Sequence, residues 1–90
     1  MASPTIDGAG VVTIEGGSFS VYYQLMRQVA HGYVTIIGKL VGDQEEMESC
    51  ASAKRGILTL ETLDKAEVVF PHSTIESGML PVVVIGDFHL

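Results

Sequence analysis

Basic residues are scarce in this chain, with five Lys and Arg against eleven Asp and Glu, a formal charge of −6 over 90 residues. Only Lys54 and Arg55 are adjacent. A nucleic-acid interface needs a basic patch to displace counterions from phosphates, so no nucleic-acid partner is expected. The same shortage argues against an anionic membrane as partner. A single cysteine, Cys50, cannot form an intrachain disulfide and favours a reducing compartment. No run approaches the roughly 20 apolar residues of a membrane-spanning helix. Residues 1–5 carry neither a positive side chain nor an apolar stretch, so no signal peptide is expected there. These absences point to a soluble protein of the cytoplasm, or one assembled into a particle from it.

What the chain has in quantity is apolar side chains. Hydrophobic residues make up 47% of it, and the mean hydropathy is +0.35. Ninety residues suffice for one domain. A chain of this size hides only about two-thirds of its unfolded surface. Part of the apolar surplus is therefore expected to meet a second copy or another protein.

Residues 1–8 read as a turn-rich lead-in to a single α+β domain spanning 1–90. Val11, Val12, Thr13, Ile14 and Glu15 alternate as a strand does, and Gly16-Gly17 breaks the run. Residues 19–31 then read as a helix. Their polar members Ser20, Gln24, Arg27, Gln28 and His31 form one stripe at the 3.6-residue period, with Gly32 as the stop. Residues 33–41 are rich in β-branched side chains and read as a strand, with Gly38 marking a bulge or a close approach. Asp43 with Glu46 three residues on suggests a capped second helix, its narrow apolar stripe formed by Met47, Cys50 and Ala51 and its end set by Gly56. Strands are expected over 57–62, 66–70 and 81–88, the first two joined by a hairpin at Thr62-Leu63-Asp64-Lys65. The predicted order is β-α-β-α-β-β-β, two helices packed on a mixed four- to five-stranded sheet. One face of such a sheet would be left for a partner.

Motifs that carry chemistry are few. Gly16, Gly17 and Ser18 stand at the start of the first predicted helix, where backbone N–H groups and the helix dipole can hold a phosphate or carboxylate. Tyr22, Tyr23 or Tyr33 would then wall a pocket with an apolar ring and a polar tip. A plain turn and cap explains the same letters, and Glu15 would repel an anion. Asp7-Gly8-Ala9-Gly10 has the look of a phosphate loop but lacks a preceding strand. Asp87 and His89 sit two apart on a predicted strand and share a face. Together with His72 they form the best acid–base set the chain offers. No His or Cys spacing matches a metal site, and no nucleophile elbow surrounds any serine. Cys50, three residues from Met47, reads as a small core thiol. No catalytic residue, metal or cofactor is assigned on these grounds.

Lys54-Arg55-Gly56-Ile57-Leu58-Thr59-Leu60, with Gly42-Asp43 upstream, resembles a segment of actin that also leads into a strand. The resemblance covers seven contiguous residues. The chain has no room for the actin nucleotide cleft and lacks its paired phosphate loops, so no function is carried across.

The sequence thus favours a non-enzymatic structural or interaction protein, acting as a homo-oligomer or within a larger assembly. A viral or phage particle component is one concrete form. The alternative is a small-molecule or anion-binding module, with its site at the first helix N-terminus or at a subunit interface. An enzyme built on Asp87 and His89 ranks last.

Overall fold

A computed structural model describes residues 5–71 and 75–86 of the chain. The chain forms six strands and one helix: β1 (Thr5–Ile14), β2 (Gly17–Ala30), β3 (Tyr33–Val41), α1 (Gln44–Ala53), β4 (Arg55–Thr59), β5 (Lys65–Val69) and β6 (Met79–Ile85). The strands close into a barrel in the order β1-β2-β3-β6-β5-β4, with β4 pairing back onto β1. Every pairing is antiparallel. Lying beside β1 after a long connection, β4 gives the spatial order 4-1-2-3 of a Greek key.

This architecture replaces the expected α+β fold of two helices on a mixed sheet. The segment 19–31, read as the first helix, is most of the fourteen-residue strand β2. Its first half alternates with period two: Val21, Tyr23 and Leu25 are buried, while Ser20, Tyr22 and Gln24 are exposed. The second of two neighbouring tyrosines points inward and the first outward, which blurs the alternation in the letters and leaves polar residues at helical spacing. Gly16 at φ +108° is part of a two-residue hairpin turn, closed by the pairing of Ile14 with Gly17. His31 and Gly32, at φ 52° and 80°, form a second such turn. Positive φ at both positions is what a tight hairpin requires.

Other elements match the expectation more closely. Strand β3 has the expected bounds, and an added Cβ at Gly38 would run into the backbone carbonyl of Gln24, so the close approach there is real. At the start of α1 the Asp43 carboxylate accepts from the Glu46 N–H at 3.2 Å. The helix ends at Lys54, which adopts a left-handed conformation and donates its N–H to the Cys50 carbonyl. Gly56, the expected stop, already belongs to β4. At the other end of the chain, β1 begins at Thr5, inside the stretch read as a turn-rich lead-in.

Alternation around a closed barrel gives each strand an inner and an outer face. Val12, Leu25, Leu40, Leu58, Leu80 and Val82 meet in the middle, and α1 adds Met47, Cys50 and Ala51 from its apolar stripe. Each fully buried side chain of this size contributes about 1.5–3 kcal/mol. Closure also removes one reason for expecting a partner, because the inner sheet face is covered by the other strands and α1.

The segment Asp7-Gly8-Ala9-Gly10 is ordinary β1, and its glycines make space. Gly8 lies opposite Tyr23. A Cβ at Gly8 would stand 2.8 Å from the Tyr23 hydroxyl oxygen, and one at Gly10 would stand 3.2 Å from the same ring. The ring therefore fits inside the barrel, 5% exposed, and its hydroxyl accepts from the Glu61 N–H at 3.1 Å. No phosphate loop is formed there.

Candidate functional site

The outer face of the barrel carries more apolar surface than its acidic composition suggests. Register places Ala9 of β1 opposite Tyr22 of β2, Tyr22 opposite Val41 of β3, and Val41 opposite Met79 of β6. The result is a row running across four neighbouring strands, about 14 Å wide at the usual strand spacing. Tyr22 is 68% exposed at its centre, with Val41 and Met79 also exposed. Val11, two residues along β1 from Ala9, is a further exposed apolar side chain.

The loop between β4 and β5 raises one wall beside this row. Its turn is held by the Leu60 N–H on the Asp64 carbonyl at 2.8 Å and by the Thr62 hydroxyl on the Asp64 carboxylate at 2.9 Å. That geometry projects Leu63 into solvent, 79% exposed and at φ 74°. Between the wall and the row lies an open groove of about 560 Å³, its sides including Val11, Tyr22, Val41, Glu61 and Leu63. Acidic residues fringe it in sequence: Glu61 lines it, Asp64 follows Leu63, and Asp43 follows the lining residue Gly42. Among the described residues, no buried side-chain nitrogen or oxygen lacks a hydrogen-bond partner.

No family model matches this chain, and neither does a curated protein or a solved structure.

A second feature is the far end of the β2–β3 hairpin. Among the described residues the ladder from β1 stops at Met26 and that from β6 stops at Ile36. Beyond these points residues 27–35 pair, among the described residues, only with one another. Val29 and Val34 lie directly opposite one another and continue the inward columns of Tyr23–Leu25 and Leu40–Ile36 past the barrel wall. They are 62% and 54% exposed, and Tyr33 on the other face is 76% exposed.

Charge is unevenly divided along the chain. Residues 16–42 contain Arg27 and Lys39 but no Asp or Glu, so this stretch is formally +2. All eleven acidic residues lie outside it with only Lys54, Arg55 and Lys65, a balance of −8 that restores the total of −6. The total charge conceals this separation, and an acid-free run of this length is the signal that sequence reasoning passed over.

The residues singled out from sequence are scattered. Gly16, Gly17 and Ser18 lie at the β1–β2 turn, where the Ser18 and Thr13 hydroxyls are 3.0 Å apart. With no helix starting there, the dipole that was to hold an anion is missing. A neighbouring cavity of about 550 Å³ is lined by Glu15, Gly16, Phe19 and Glu48, and its two carboxylates repel an anion. Tyr22 is separated from the turn by several residues of β2 and belongs to the outer groove instead. Cys50 is fully buried, as a core thiol would be. His72, Asp87 and His89 lie outside the described residues. Among the described residues, no group of three His, Cys, Asp or Glu side chains is placed to hold a metal ion. Among them, too, no helix is long and apolar enough to cross a membrane.

Proposed function

We propose that this chain is a non-enzymatic interaction protein whose working surface is the outside of the barrel, and that it acts as a homo-oligomer or as one component of a larger assembly. The observation that carries this reading is the exposed apolar row of Tyr22, Val41 and Met79 with Val11 and Leu63 beside it. Apolar surface gathered in one patch with a polar rim is a common mark of a protein contact.

Apolar side chains fill the barrel interior, so a ligand would have to bind from outside. The Gly16-Gly17-Ser18 reading has lost its helix, and nothing in its acidic surroundings favours it.

The test is the native mass of the untagged chain, measured by light scattering on a sizing column across micromolar concentrations. A defined multiple of 9.6 kDa is the expected result. A monomer at every concentration, with no protein retained on an immobilised copy, would overturn the reading.

A further inference from the structure

We infer that two copies of the chain pair face to face about a twofold axis running along β2, with Asp7 of each copy opposite Lys39 of the other. This inference rests on the proposed self-association and says which face builds it. On the outer surface β2 presents Tyr22 and Gln24 between two unlike neighbours. Ala9 and Asp7 of β1 lie opposite them on one side, Val41 and Lys39 of β3 on the other. Asp7 and Lys39 thus flank Gln24 in one row, each about 5 Å from it across the sheet. They are the two charged side chains among these six positions, and their signs are opposite.

A second copy fits this face because its two sides complement each other. A twofold axis lying in the contact along the middle strand exchanges the sides, so the β1 side of one copy meets the β3 side of the other. Asp7 then faces Lys39 twice over, and the small Ala9 faces the larger Val41. Height matches in the same way. The loop that carries Leu63 stands beyond β1, next to β4, while β3 is continued by β6 with its exposed Met79. The raised border of one copy therefore lies beside Val41 and Met79 of its partner. Turning the axis across the strands would instead set Asp7 against Asp7 and Lys39 against Lys39, which like-charge repulsion disfavours. The apolar row through Tyr22 supplies the attraction, and the two charge pairs fix the orientation. Such a contact is isologous and closes at two copies.

Exchanging the charges tests the pairing, with native mass by light scattering as the readout. The wild type is expected at twice the chain mass and no further. Asp7→Lys leaves a base on both sides of β2, and Lys39→Glu leaves an acid on both. Each variant alone should self-associate at least tenfold more weakly than the wild type. An equimolar mixture of the two should recover a dimer of wild-type strength, because every base of one then faces an acid of the other. Combining both changes in one chain should recover the dimer as well.

If the wild type is monomeric throughout, self-association itself fails. If it assembles beyond a dimer, only this pairing fails and another surface carries the association. The pairing fails in the same way if either single variant dimerises as the wild type does, or if the mixture does not pair. Thermal melts check that each variant folds; Asp7 is exposed and Lys39 half-buried, and neither belongs to the core. Should one of them misfold, Tyr22→Thr gives an independent readout, since it keeps both charges and puts a β-branched residue in the strand. It removes the apolar ring on the axis and is expected to weaken the dimer at least tenfold. A folded Tyr22→Thr chain that dimerises at wild-type strength would also overturn the pairing.

Discussion

At the scale of single residues, the barrel makes chemically equal neighbours unequal. Cys50 is fully buried on the inner side of α1. Burial pushes its thiol from 9.0 up to about 11, and the Glu46 carboxylate one turn earlier adds to the rise. Between those two values the unfolded chain has lost the proton that the folded chain retains. Stability is therefore full below pH 9 and falls as the pH climbs towards 11, by an amount on the order of 2 kcal/mol. Urea unfolding between pH 8.5 and 10.5 should show this decline, and Cys50→Ala should lessen it. A thiol reagent at pH 8 should label Cys50 only after unfolding, and rapid labelling of the native chain would contradict the burial. Tyr22 and Tyr23 show the same inequality without titration, one 68% and the other 5% exposed. Their letters are identical, and only the partners across the sheet decide which one faces in. Gly8 and Gly10, two apart and both opposite the inner face of β2, were the available hint that a large ring would need room.

Elements were legible where their signals are local. Asp43 and Glu46 mark the start of α1 in any context, because the cap is a bond between residues three apart. Tyr33–Val41 is dense in β-branched residues and reads as a strand from its own letters. Strand β2 was not legible, since a polar stripe at 19–31 fits a helix until pairing with both β1 and β3 outweighs it. The tie between α1 and the segment before β6 was equally hidden, because its partners are more than thirty residues apart. The Gln44 side chain donates to the Ile75 carbonyl at 3.0 Å and accepts from the Gly78 N–H at 2.7 Å. Gly78 in turn accepts from the Gly42 N–H at 2.9 Å, so Gln44 fastens the approach to β6 against the end of β3. Gln44→Ala removes two hydrogen bonds and leaves a backbone donor without its partner, a cost of about 1–3 kcal/mol. A lower urea midpoint at unchanged slope is the expected signature, and an unchanged midpoint would mean that water replaces the side chain without loss.

For the whole molecule, the fact least visible in the sequence is closure, since the six strands carry no local mark of which edge meets which. Closure uses the inner faces for the core and leaves the outer faces for the proposed self-association. Under that proposal two effects oppose each other. Every copy carries −6, so copies repel at long range, while the exposed apolar row around Tyr22 holds them at contact. Salt separates the two by distance. At 0.01 M the screening length is about 30 Å, comparable to the molecule, and the repulsion between whole chains is felt in full; at 0.15 M it is about 8 Å, and chiefly the close pairs survive. Raising salt from 0.01 to 0.15 M should therefore increase the native mass at fixed concentration, and 1 M salt should not lower it again, because an apolar contact is not screened. Lowering the pH towards the isoelectric point near 4.7 should act like the first salt step, by removing the repulsion. Light scattering along a salt series reads the effect directly. A mass that only falls with salt would mean that contact charges outweigh the repulsion throughout. One that rises and then holds would place the contact on apolar surface.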